Sequence, residues 1–154
     1  MGKLIEKLSR MGVLKAELFG PDGLLKERRH VKNVITEVGD AYVADALSSS
    51  PGEAAMSHMA IGTSSTAAST SDTALVSQLD RNALTSRTQG TGAADNDVIY
   101  VGDWAAADGT GAITEAGILN SSSGGTLLAR QVFSVINKGA SDTLKITWTV
   151  SIGD

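Results

Sequence analysis

Apolar and polar residues alternate most strictly near the C-terminus. In DTLKITWTVSI, Leu144, Ile146, Trp148, Val150 and Ile152 share one face, and Lys145, Thr147, Thr149 and Ser151 share the other. A period of two with one apolar face predicts a strand lining a core, so Leu144, Ile146, Trp148 and Val150 are candidate core residues. The stretch NKGASD before it reads as a turn, so 127–136 and 143–152 are predicted to pair as an antiparallel hairpin. Upstream, ITEAGILNSSSGGTLLARQVF places two apolar-rich runs around SSSGG, a second hairpin pattern. VIYVGDW, 98–104, predicts a strand with Tyr100 and Trp104 on one face, and HMAIG, 58–62, a short apolar strand.

The N-terminal half carries a third hairpin. Leu14, Ala16 and Leu18 alternate with Lys15 and Glu17, GPDG is a turn, and a return strand runs from about Leu24 to Val31. The basic residues Lys26, Arg28, Arg29 and His30 on that strand face solvent or an acidic partner surface. Ile35, Val38, Tyr42, Val43, Ala46 and Leu47 then recur at helical spacing behind Thr36, a capping residue, and SSSPG stops the helix. Gly39 inside it costs about 1 kcal/mol in helix propensity, which points to close packing on a sheet. TSSTAASTSD has nothing to bury and reads as a long exposed or mobile loop; LVSQLDRNAL resumes apolar spacing after it. Leu4, Ile5, Leu8 and Met11 lie at helical spacing in a stretch too short to be a stable helix alone. It is either a frayed terminus or an arm that orders on a partner. The predicted fold is mainly β: an antiparallel β-sandwich or partly closed barrel of seven or eight strands, with one packed α-helix. Residues 1–12 form an N-terminal arm and 13–154 a single β-rich domain.

Composition narrows the function classes. The 154 residues suit one domain, and 42% apolar residues allow a real core. Only 19% are charged; Ser, Thr, Ala and Gly fill the surface. The net charge is −4 and no basic stripe stands out in the body, which argues against direct nucleic-acid binding. There is no cysteine, so disulfide and thiol chemistry are absent. The first residues, MGKLIEKLSRMGVLKAELF, break their apolar positions with charges and do not read as a signal peptide. No window approaches the ~18 apolar residues of a membrane span, so no membrane partner is expected.

Candidate chemistry is sparse. His30 and His58 have no neighbours at metal-ligand spacing, and Asp95 and Asp97 lack the closing glutamate of a calcium loop. The glycine-rich GTSS and DGTG lack a phosphate-loop lysine, and no serine sits in a nucleophile elbow. Glu115 and Asp103 have no spacing that fixes them as a carboxylate pair. No metal, no cofactor and no catalytic activity are expected. Arg81, Glu115 and Arg130 remain, each inside or beside an apolar run. A charge in such surroundings needs a partner, so Glu115 with Arg81 or Arg130 is expected to form a structural ion pair that pins the sheet register. Plain surface placement and a ligand site are the alternatives.

Three segments together resemble structural proteins of tailed-bacteriophage virions: VKNVITEVGDAYVADAL, MAIGTSSTAASTSDTALVSQLDR and AITEAGILNSSSGGTLLARQVF. The order of elements carries the resemblance. Asn33 leads into the helix with Gly39, Gly62-Thr63 ends a short strand, and Leu75 and Arg81 follow. Glu115-x-Gly117 then precedes Leu128, Arg130 and Phe133. Ile118-Leu119 stands where such proteins more often have Leu-Phe. The likeness covers about residues 31–152. It implies a virion protein, most like a capsid decoration (cement) protein that binds the outer surface of the head and stabilises it. Tail-fibre, collar and baseplate components look similar. For a decoration protein the resemblance implies manufacture in the host cytoplasm, the major capsid protein as partner and a homotrimer at local threefold positions. The arm residues Leu4, Ile5, Leu8 and Met11 would then contact the capsid.

Overall fold

The computed structural model describes residues 10–153. Nine strands and one α-helix form its regular frame: β1 (Arg10–Phe19), β2 (Leu25–Ile35), α1 (Glu37–Ala46), β3 (His58–Gly62), β4 (Gln78–Ala83), β5 (Ser86–Gln89), β6 (Asp97–Trp104), β7 (Gly111–Leu119), β8 (Leu127–Lys138) and β9 (Thr143–Ile152). A single turn of 3₁₀ helix, Gly92–Ala94, precedes β6. All strands join one antiparallel sheet in the order β4-β3-β7-β8-β2-β1-β9-β6-β5. The sheet curls into a half-barrel with α1 packed on it, so the partly closed barrel of the sequence reading is the form adopted, with nine strands.

The inner face holds the main core. Leu14, Ala16 and Leu18 of β1 meet Leu144, Ile146, Trp148 and Val150 of β9, with Tyr100 and Trp104 of β6 and Met59 and Ile61 of β3 opposite. The β1–β9 register runs without interruption from Arg10↔Ile152 to Phe19↔Thr143, because both strands alternate strictly. Two features mark the rest of the sheet. The strands at its two edges, β4 and β5, are linked by Leu84 and Thr85 alone; the Leu84 N–H bonds Ser57 O in one half and the Thr85 N–H bonds Val101 O in the other. The two halves meet between β2 and β8 through just two residue pairs, Val34↔Arg130 and Ile35↔Ala129.

Helix α1 starts as the sequence indicates. The Thr36 side chain accepts from the Gly39 N–H at 2.9 Å and donates to Leu127 O at 2.5 Å. Gly39 is buried, and a side chain there would overlap the Leu128 carbonyl, so the glycine is what lets the helix touch the sheet. The apolar stripe is narrower than expected. Val38, Tyr42 and Val43 reach the two clusters, Ile35 belongs to β2, and Leu47 is 77% exposed as the C-cap.

The arm assignment changes at its inner boundary. Arg10 begins β1, so Met11 lies on a strand opposite Ser151, 52% exposed, rather than on a helix. Ladder hydrogen bonds along β9 outweigh the local helical spacing there. Leu4, Ile5 and Leu8 fall outside the described residues.

Trp148 is fully buried in the middle of β9, while Thr147 points the other way. Trp148→Ala should lose about 3–5 kcal/mol of unfolding free energy in urea titrations. Thr147→Ala should cost well under 1 kcal/mol; equal losses would contradict this face assignment.

Candidate functional site

The densest polar constellation is built on the outer face of β3, β7 and β8. Residues 63–77 leave β3, cross this face and enter β4. Beneath them the Glu115 carboxylate accepts from the Ser77 N–H at 2.7 Å, the Val76 N–H at 3.1 Å and the Ser64 N–H at 3.4 Å. Its fourth donor is Arg130 Nε at 2.8 Å. Arg130 extends the network outward: one terminal nitrogen donates to Asp72 Oδ2 at 2.9 Å and Ala67 O at 3.4 Å, and the other to Thr66 O at 2.9 Å. Both Glu115 and Arg130 are completely buried. Two charges so far from water are tolerable only with their hydrogen-bonding capacity filled, and the planar guanidinium fork suits several fixed acceptors at once.

Small residues make room for this pair. A side chain at Gly62 would overlap both Ser77 O and the Glu115 carboxylate. Leu75 lies over Gly117 and joins Ala60, Leu119 and Leu127 in a small outer core, with Val38 at its margin. Further bonds tie the segment down. Thr114 Oγ1 donates to Ser64 O at 2.8 Å, the Thr63 N–H to Ser77 O at 2.9 Å, and the Glu37 N–H at the start of α1 to Thr70 O at 2.8 Å. The expected long exposed loop is present, irregular and largely exposed, and its backbone is tied to the sheet beneath it. The segment is a strap whose backbone serves as ligand to a buried ion pair, because short side chains allow the backbone to approach.

Arg81 takes no part in the pair. It lies in one cross-strand row, Arg81–Ala60–Gly117–Arg130, but Leu75 sits over the two residues between the arginines. Its guanidinium instead donates to Gln78 Oε1 at 2.6 Å and to the carbonyls of Ser121 and Gly124 at 3.0 and 2.9 Å. It thereby braces the SSSGG turn, whose Asn120 side chain also donates to Glu53 Oε2 at 2.8 Å.

A second polar group, which sequence reasoning missed, gathers around the ends of β4, β6 and β8. Lys138 is 2% exposed and donates to Ala105 O at 2.9 Å. Burial lowers its pKa, while Asp108, Asp142 and Asp80 oppose that shift. Burial raises the pKa of Asp80, and the neighbouring carboxyl of Asp108 adds to this. Asp108 accepts from Asn82 Nδ2 at 2.7 Å. A cleft of about 360 Å³ beside them is lined by Phe19, Asp103, Trp104, Asp108, Leu144 and Lys145. The signal for Lys138 was present: it continues the period of two from buried Ile136. Asp72 gave no signal within its Ser/Thr run.

A third feature is the basic outer row of β2. Lys26 reaches Asp142 at 3.0 Å and Arg28 reaches Glu17 at 2.7 Å, so these two do not simply face solvent. Arg29, on the opposite face of β2 beside Ala16, bridges the gap between the sheet halves, donating to Ser134 O at 2.9 Å and Val135 O at 2.6 Å on β8 and to Arg28 O at 3.0 Å on β2. Among the described residues no group of three or more His, Asp or Glu could hold a metal ion. No family model, curated protein or solved structure matches the chain.

Two outcomes follow from these geometries. Glu115→Ala leaves Arg130 buried without its main counter-charge and should cost about 3–5 kcal/mol. Amide exchange should then speed up across 63–77 more than in β1 and β9; uniform protection would show that the strap does not depend on the pair. The Gly139 N–H, followed by Lys26, holds the Asp142 carboxyl below its ordinary value of 3.8. A depressed folded pKa gives stability that is present above that ordinary value and lost as the pH falls through the folded one. Asp142→Asn should therefore flatten the acid limb of stability below about pH 4 and leave its slope near neutrality unchanged.

Proposed function

We propose that the chain is a structural protein of a tailed-phage virion, a capsid decoration protein that binds the outer surface of the head and stabilises it mechanically. One observation carries the reading. Gly62, Thr63, Leu75, Glu115, Gly117 and Arg130, six of the residues on which the resemblance rests, form one structural unit around the buried ion pair. Their order along the chain thus has a common physical cause, which supports a shared architecture over a chance run of short motifs. The bare outer face of β1, β9 and β6 offers Val13, Thr147, Thr149, Ile99 and Val101, all half-exposed and uncharged. Such a face can lie on a protein surface with little desolvation cost. A symmetric assembly, with the homotrimer as the form implied by the resemblance, would multiply weak contacts through avidity. The partner in this reading is the major capsid protein, and the action is to bridge capsid subunits against internal pressure.

Immunogold labelling of phage particles from a lysate that contains this protein tests the proposal. Label spread over the head, together with earlier heat-induced DNA release from particles lacking the protein, is the expected result. Label confined to the tail would overturn the decoration role, and unlabelled particles would overturn the virion role.

A further inference from the structure

The turn 105–110 joins β6 to β7 and folds over the concave side of β4. The register of β4 with β3 puts Asp80 opposite Ile61 and Asn82 opposite Met59, so both polar side chains share the core face beneath that turn. Asp108 tethers the turn to β4, accepting from Asn82 Nδ2 at 2.7 Å. The other tethers come from the far side. Lys138 of β8 donates to Ala105 O at 2.9 Å, and the Ala107 N–H donates to Ala140 O at 2.6 Å. Ala107 has a φ of 67°, a left-handed conformation that is costly for a residue with a side chain, so the closed turn is held under strain.

One carboxylate is enough for the tether on β4, yet a second lies beside it. Asp80 Oδ2 and Trp104 Nε1 are both buried without a hydrogen-bond partner among the described residues. A side chain on Gly109, the residue after Asp108, would stand 3.5 Å from that oxygen and 3.0 Å from Trp104 Cδ1. Burial raises the Asp80 pKa above its ordinary 3.8; the Asp108 carboxyl adds to the shift, while the Arg81 N–H and the Trp104 indole oppose it. Other elements bring further charges to the pair. Lys138 of β8 is fully buried and attracts Asp108, Asp142 and Asp80. Asp142, before β9, is already paired with Lys26 of β2 at 3.0 Å. Asp103 of β6 accepts from Thr85 Oγ1 at 2.6 Å, and Lys145 of β9 lines the cleft at the solvent side. One buried ammonium therefore serves two carboxylates, and a fully ionised Asp80–Asp108 pair leaves one negative charge uncompensated.

We propose that the turn 105–110 is a proton-controlled latch: one proton shared by Asp80 and Asp108 keeps the turn closed on β4, and its loss on rising pH frees the turn from β4 and opens the cleft beside Trp104. A plain turn anchor has no use for Asp80, because Asn82 already serves Asp108. With the proton in place, one carboxyl donates to the other and the orphaned oxygen is satisfied. Without it, two carboxylates share a space closed to water, and their repulsion adds to the strain at Ala107. The tethers to Lys138 and Ala140 are then the pivot. The neutral acid is favoured in the folded chain, so this stabilisation is complete below the ordinary value of 3.8 and is lost as the pH rises through the folded one. Asp142 titrates in the opposite sense, which keeps the two contributions separable. The latch is independent of the virion reading, since it is a property of the fold alone.

Hydrogen exchange at the two indole N–H groups of the full chain, corrected for the intrinsic rate at each pH, reads the latch. Both are buried without a partner, but only that of Trp104 lies under the turn. From about pH 4 to about pH 7 the Trp104 N–H should lose at least about tenfold in protection, while the Trp148 N–H keeps its own. Asp80→Asn supplies a donor that does not titrate and should hold Trp104 protected over the whole range. Flat protection of Trp104 in the parent chain would overturn the latch. A pH dependence that survives in Asp80→Asn would assign the release to another group, Lys138 first, and overturn it as well. Carboxyl-carbon NMR of the unaltered chain decides the matter even if the variant does not fold. Asp80 should keep its proton above 3.8, with the Asp108 signal moving in the same step; independent titration of both at the ordinary value would refute a shared proton.

Discussion

Two residues set the shape of this protein. β4 and β5 stand at opposite ends of the strand order, yet only Leu84 and Thr85 lie between them in the chain. In a flat sheet, nine strands spaced about 4.8 Å apart would hold those edges about 38 Å apart. The link from Ala83 at the end of β4 to Ser86 at the start of β5 can span at most about 11 Å. The sheet must therefore curl until its edges almost touch. The chain crosses between the halves at one corner, as strands do where they switch sheets. Everything else follows from having one concave and one convex face.

The concave face is mainly apolar, with Glu27, Arg29 and Asn33 of β2 as a polar margin. The convex face poses the harder problem, and the two halves meet it differently. On β1, β9 and β6 the outward residues are Thr, Ser, Lys, Asp, Glu and a few exposed apolar side chains, a mixture that tolerates water. On β3, β7 and β8 the outward positions include Ala60, Leu119, Leu127 and the Glu115–Arg130 pair, which do not. There the strap covers the sheet. The ion pair is as much a cause of the strap's conformation as a consequence of it, because it converts a segment with almost no apolar side chains into an ordered cover. Leu75 supplies the apolar contact that the rest of the segment lacks.

Much of the frame was legible in the sequence. Period-two alternation located β9 and β6, a short apolar run located β3, turn chemistry located the hairpins, and Thr36 with Gly39 located the start of α1 and its contact with the sheet. The curl was not legible, since it depends on which strands neighbour each other and not on any one strand's pattern. The partner of Glu115 was left open between two arginines for a related reason. Ile113 faces the inner core, and a strict period of two would carry Glu115 there as well. The ladder shifts register between these residues, which turns Glu115 to the outer face beside Arg130. Whether Arg81 could reach it depended on Leu75, a residue from a loop whose path no local pattern predicts.

The composition takes on a physical meaning in this light. A run such as TSSTAASTSD suggests a solvated loop because it offers no side chain worth burying. Its usefulness here lies in its backbone. The Ser64, Val76 and Ser77 N–H groups and the Thr66 and Ala67 carbonyls all act as ligands to buried charges. Ligand distances near 3 Å require that the main chain lie close to the sheet, and bulky side chains between the two would hold it away. Ser, Thr and Ala are the residues that permit the approach. Gly62 and Gly117 permit it from the sheet side. A low charged fraction and a surplus of small residues are thus not marks of a featureless surface. They are what a chain needs when it covers a sheet with backbone and places its few buried charges where that backbone can hold them.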